Sequence, residues 1–196
     1  MFSLYKKYLE FIDRTLEKEF ESQKPFIKCH KACSLCCESG DYPLSRLEME
    51  YLMAGLPELE VSVQKKIRSE IRGLLDVKSM SDGHFMHRCP FLSEDKTCFL
   101  YERRGLVCRT HGLASFENSA EGVYVKLPRC ADEGLNYSEV FDGKEVQICK
   151  FKDFGVKSPV EHSLSLNFYE RNLPPEFVDL EFGEIRPMLG WFVQKQ

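Results

Sequence analysis

Four of the nine residues in Cys29-His30-Lys31-Ala32-Cys33-Ser34-Leu35-Cys36-Cys37 are cysteines. A core that needs a small apolar side chain can use alanine or valine; what thiols offer uniquely is redox chemistry and metal ligation. Three more cysteines, at 89, 98 and 108, extend the pattern. The fold must therefore bring distant chain segments to a common set of sulfurs.

Helix geometry limits how the first four can act. If residues 29–37 were one helix, Cys29, Cys33 and Cys36 would share a narrow stripe, and Cys37 would point about 100° away from Cys36. The rise from Cys29 to Cys36 would be roughly 10 Å. Sulfurs around one tetrahedral zinc lie roughly 4 Å apart, given Zn–S bonds near 2.3 Å. A straight helix thus cannot place three of these thiols on one zinc. Either the segment curls around a larger cluster, or its cysteines divide between neighbouring ions, as the vicinal pair Cys36-Cys37 suggests. The remaining ligands then come from residues sixty to eighty positions later, so the metal is part of what folds this half of the chain.

The surrounding chain favours ligands over disulfides. Nine cysteines is an odd number, which a closed disulfide framework does not produce. The N-terminal segment lacks the uninterrupted apolar run and small-residue cleavage site of a signal peptide. No segment reaches the ~18 apolar residues of a membrane helix. The expectation is a cytoplasmic protein, in which thiols stay reduced. A formal charge of −4 supplies no global basic field for nucleic acid or anionic lipid.

Periodicity predicts a helix over 3–22, with Leu4, Tyr8, Ile12, Leu16 and Phe20 on one face and Pro25 beyond its end. Ser45-Arg46-Leu47-Glu48 is a capping box that opens a short helix closed by Gly55 and Pro57. A further helix is expected at about 60–77, around Ile67, Ile71, Leu74 and Leu75, and a loop at 78–88. Residues 89–101 read as a β-hairpin in which position 91 faces 98, so that Cys89 and Cys98 share one face as diagonal neighbours. A second hairpin is expected over 112–127, a helix over 162–173, and a turn at Pro174-Pro175 before a short helix. No alternating βα series occurs. The fold class expected is α+β: one small, irregular, metal-organised domain over 1–196, with flanking helices and short β-hairpins. Its cysteine-cluster region covers about 27–112 and a C-terminal extension about 113–196.

Cys29-x3-Cys33-x2-Cys36-Cys37, then Cys89-Pro90-Phe91-Leu92, then Cys98-x2-Tyr101-x2-Arg104-x3-Cys108-Arg109, resembles the YkgJ-like CxxCxxCC cysteine-cluster family of zinc- or iron-chelating domains. The resemblance implies Cys29, Cys33, Cys36, Cys37, Cys89, Cys98 and Cys108 as metal ligands. Two departures stand out. The family's name has two residues between its first cysteines where this chain has three, and its pattern has proline after the arginine where this chain has Gly105.

The residues themselves are consistent with that implication. Arg103, Arg104 and Arg109 can offset the negative charge of a thiolate centre, and Phe91, Phe99 and Tyr101 can keep water from it. With Cys130 and Cys149, eight of the nine cysteines could fill two four-thiolate sites, with a buried free thiol as the plainer alternative for each. His30 and His111 neighbour ligand candidates, and His84 and His87 have ligand-like spacing. A structural zinc site typically shows two separated CxxC pairs, and only Cys33-x2-Cys36 has that spacing. Three cysteines on one loop with a distant fourth suit a [4Fe-4S] cluster, which is favoured modestly over Zn2+. The function expected is a metal-binding protein, with electron transfer or redox chemistry as its use.

Three other readings compete with this one. The cysteine block also resembles part of flagellin lysine N-methylases, which would imply a protein-modifying enzyme, but no glycine-rich nucleotide loop follows a strand. Cys29-x3-Cys33-x2-Cys36 matches the cluster loop of radical S-adenosylmethionine enzymes without their βα barrel. A secreted disulfide module is opposed by the N-terminus and the odd count. The sequence names no protein partner.

Overall fold

The four-residue apolar spacing of the N-terminal segment becomes helix α1, Ser3–Ser22, in the computed structural model of the protein, which describes residues 2–78, 85–119, 122–157, 159 and 173–193. Tyr5, Tyr8, Leu9, Ile12 and Leu16 are its buried stripe, and Pro25 lies in the 3-10 turn Lys24–Phe26 that follows. The predicted capping box is present. Ser45 Oγ accepts from Glu48 N at 3.2 Å and Glu48 Oε2 accepts from Ser45 N at 2.7 Å. It opens α3, Arg46–Met53, after the single-turn α2, Leu35–Glu38, and the short strand β1, Pro43–Ser45. Helix α4 spans Val61–Lys78 and buries Ile67 and Ile71. A short α5, Leu106–Thr110, precedes the antiparallel pair β2, Ser115–Ser119, and β3, Gly122–Lys126, where the second hairpin was expected. After a series of 3-10 turns, Pro175–Phe177 is a single 3-10 turn that begins on the second of the paired prolines, where a turn before a short helix is expected. The helix expected at 162–173 lies outside the described residues.

Strand β4, Ile185–Pro187, pairs antiparallel with β1, setting Leu44 opposite Arg186. This architecture of helices and two-stranded antiparallel sheets is α+β.

The chain divides into two compact units. The first comprises residues 1–31 and 109–180, the second 32–108 and 181–196. The first unit is centred on Phe26, Tyr137, Val140 and Phe151, with ring centroids 5.3 Å apart for Phe26–Tyr137 and 4.8 Å for Phe26–Phe151. The second packs Met49 and Leu52 of α3 and Ile67 and Ile71 of α4 with Leu44, Leu56, Phe91, Leu100 and Met188. Half-buried Cys89 and Cys98 lie against this core. No described helix is long and apolar enough to cross a membrane.

The region expected to form the first hairpin differs in register. Leu92, not Phe91, bridges Cys98, and Phe99 N donates to Phe91 O at 2.9 Å. The cause lies in the turn. Ser93 Oγ bonds Asp95 and Thr97 Oγ1 and accepts from Thr97 N at 3.1 Å, while Lys96 adopts φ +64°. Five residues therefore separate the bridged pair. Cys89-Pro90-Phe91-Leu92 is itself a turn, with Leu92 N donating to Cys89 O at 3.0 Å, so the alternation of a flat hairpin does not govern where these thiols point.

Candidate metal centre

The segment 29–37 is not a continuous helix. Ala32 sits at φ +66°, and only Leu35–Glu38 completes a helical turn. Ser34 O accepts from Cys37 N at 2.7 Å and from Glu38 N at 3.0 Å. The turn sets the Cys36 and Cys37 sulfurs 3.9 Å apart, close to the roughly 4 Å edge of a tetrahedral thiolate site.

The next segment is sewn to this turn by backbone. Cys89 N donates to Cys37 O at 2.7 Å, and Gly40 and His87 form an antiparallel bridge. Cys98 follows across the Leu92 bridge, and Cys108 rides on α5. Glu48, 1% exposed, fixes the start of α5: beyond its capping-box bond to Ser45, its Oε1 accepts from Leu106 N at 2.7 Å. A Cβ at Gly105 would collide with Leu44 Cδ2 and approach Glu48 Oε1 to 3.0 Å. A side chain at this position, the proline of the family pattern included, would require Leu44 and Glu48 to shift.

The electrostatics describe one neighbourhood. Burial pushes the Cys89 thiol up to about 12, with the charges of Cys108 and Cys98 adding to the rise. Cys108 retains exposed surface, yet protein crowds it closely enough that desolvation pushes it up to about 12, reinforced by Cys98, Cys36 and Glu48. Burial raises Cys98, and Cys36 is raised first by its hydrogen bond with Cys37 and then by burial. Opposing groups are in place. The Phe91 and Leu100 amides favour the anions of Cys89 and Cys98, Arg88 acts on Cys89, and Arg104 acts on Cys98 and Cys108. Amide donors and nearby cations aimed at otherwise desolvated thiols fit a soft metal, which supplies the positive charge that thiolates need in such a setting. Cys33, half-buried, belongs to the same unit. Among the described residues, no three Cys, His, Asp or Glu side chains stand grouped as ligands of one ion.

In the first unit, exposed Cys29 accepts a hydrogen bond from Asn136 Nδ2 at 3.2 Å, and the same amide donates to Gly112 O at 2.7 Å. Gly112, at φ +107°, leaves room for this: a Cβ there would stand 3.2 Å from the Cys29 sulfur. Cys130 is buried and Cys149 exposed in the same unit. Burial lowers His111 to about 4. His30 is exposed, with Nδ1 2.8 Å from Lys31 O. His87 is buried and turned to Arg88 O; His84 lies outside the described residues.

Of the three arginines expected near Cys108, Arg104 acts on it. Arg103 instead pairs with Glu58 at 2.6 Å, and Arg109 with Asp13 at 2.6 Å. Phe91 is buried, but Tyr101 is 55% exposed and stacks on Arg104. Sequence reasoning missed Arg88, Asn136 and the second bond of Glu48, to Leu106 N. Arg88 adjoins a cysteine and had a signal; Asn136 had none, because its partners lie 24 and 107 residues away.

A small α+β fold that brings the thiols of Cys36, Cys89, Cys98 and Cys108 within one another's electrostatic reach is that of a cysteine-rich metal-chelating protein. The model of the CxxCxxCC family, described as a putative zinc- or iron-chelating domain, matches residues 28–131. The chain belongs to that family. No curated protein and no solved structure matches the chain.

Proposed function

We propose that the second unit holds an iron–sulfur cluster or a zinc ion through thiolates drawn from Cys33, Cys36, Cys37, Cys89, Cys98 and Cys108, and that its use is electron transfer or redox chemistry. The observation that carries this reading is the mutual influence of Cys36, Cys89, Cys98 and Cys108, which come from three separate stretches of chain. Bringing four sulfurs onto one centre requires side-chain rotation within segments that backbone bonds already hold in register. The surplus of thiols and the vicinal pair favour iron–sulfur over a single zinc. Cys29, Cys130, Cys149 and His111 are the donors left for a further ion in the first unit. Bound iron–sulfur passes single electrons, whereas bound zinc is redox-inert and contributes folding free energy.

The protein's own groups do the rest. Arg88 and Arg104 offset part of the charge that Cys89, Cys98 and Cys108 would carry, and the Phe91 and Leu100 amides favour the anionic forms of Cys89 and Cys98 against the burial that raises them. The test is a series of single cysteine-to-serine variants prepared without oxygen, with metal counted per chain. Serine at 36, 89, 98 or 108 is expected to lower the metal content. Full metal content in all four would refute the reading.

A further inference from the structure

Asp41 and His87 are deeply buried, with side chains 6% and 1% exposed, and both belong to the second unit. Asp41 Oδ1 and His87 Nε2 stand 3.5 Å apart, and neither atom has a hydrogen-bond partner. Buried polar atoms left in this way are costly, so their persistence at one spot calls for a reason. His87 cannot turn away freely: its Nδ1 lies 2.8 Å from Arg88 O, to which it donates, and its ring stacks on Phe85 with centroids 5.6 Å apart. Asp41 is approached on its other oxygen by Lys78 Nζ at 3.5 Å.

The position of the pair gives it meaning. Asp41 follows Gly40, whose N–H donates to His87 O at 3.0 Å, and His87 N donates back to Gly40 O at 3.4 Å. Two residues further along, Cys89 N donates to Cys37 O at 2.7 Å. The side-chain pair, an ion pair when His87 Nε2 also carries a proton, thus joins the same two stretches of chain whose backbone bonds juxtapose Cys37 and Cys89. We propose that Asp41 and His87 are positioning residues that clamp the Cys36-Cys37 turn against the Cys89 turn for metal binding. This rests on the metal-binding reading above. The clamp acts by holding geometry. A partner outside the ligand shell that orients the ligands typically governs 10–100-fold in metal affinity.

The test uses the full chain and cobalt(II) as probe, comparing wild type with Asp41→Leu and Asp41→Asn. Leucine keeps the volume but removes both polar atoms. Asparagine retains a polar tip, and its amide can donate to His87 Nε2 while Arg88 O still holds Nδ1–H. The expectation is that Asp41→Leu binds cobalt about 10–100-fold more weakly and changes its thiolate-to-metal absorption. Asp41→Asn should retain wild-type affinity and spectrum. In metal-free protein, exchange at the Gly40 and Cys89 amides should be faster in Asp41→Leu than in wild type. Equal affinity and equal exchange in Asp41→Leu and wild type would overturn the clamp, as would an Asp41→Asn variant as impaired as Asp41→Leu. A wild type that takes up neither cobalt nor, when offered anaerobically, iron or zinc would instead refute the metal-binding reading, with the amide exchange still deciding whether the pair clamps the two segments.

Discussion

Replacing Glu48 with alanine removes one buried carboxylate that serves two elements. Its oxygens accept from Ser45 N and Leu106 N, both at 2.7 Å, and the residue is 1% exposed, so water cannot readily replace it. A hydrogen bond to a charged group contributes about 1.5–3 kcal/mol, and the loss leaves two buried amides unsatisfied. Release from the cost of burying the charge offsets part of this, leaving a destabilisation of about 3–5 kcal/mol. The chain's single tryptophan, Trp191, reports on the same unit, because its Nε1 donates to Leu44 O at 3.0 Å. Followed by its fluorescence, with a urea slope of about 2 kcal/mol/M, the unfolding midpoint should fall by about 2 M in Glu48→Ala. Glu48→Gln keeps one acceptor oxygen and should fall about half as far. A shift below about 0.5 M in the alanine variant, at unchanged slope, would refute the claim that this carboxylate ties α3 to α5.

Three other outcomes follow from particular contacts. Asn136 is 1% exposed, and its side chain bonds Lys28 N at 2.7 Å as well as Gly112 O and Cys29; Asn136→Leu should lower stability by about 2 kcal/mol in thermal unfolding. His111, held by burial near 4 against an ordinary 6.5, stabilises the fold fully above pH 6.5. That contribution is lost as pH falls through 4, by about 3 kcal/mol in all, and the acid limb of a stability–pH profile should flatten in His111→Gln. Chelation should speed amide exchange at Cys37–Gly40 and His87–Cys98 far more than in α3 and α4, whose apolar core contains no sulfur ligand at its centre.

The sequence made the long regular elements readable. The apolar period of α1 and α4 and the Ser45–Glu48 box depend on neighbours within one or two turns, and the structure places all three where the pattern puts them. The β1–β4 pairing was hidden because its strands are three residues each and some 140 positions apart. The Leu92–Cys98 register was hidden in a side-chain-supported turn, with Lys96 in a left-handed conformation that its residue type does not advertise. For the candidate centre, the cysteine pattern pointed to the family, whose model matches residues 28–131. The groups that arrange them were not readable, since Glu48, Asp41 and His87 gain their roles only when distant backbone meets.

The central claim is that clustered thiolates of this chain hold a metal. The most direct measurement is iron, zinc and acid-labile sulfide per chain, with the visible spectrum, for protein prepared without oxygen. The account predicts stoichiometric metal, with iron and sulfide in equal amounts and visible absorption that bleaches on reduction. Protein that carries neither iron nor zinc in stoichiometric amount, and takes up neither when offered them anaerobically, would contradict it.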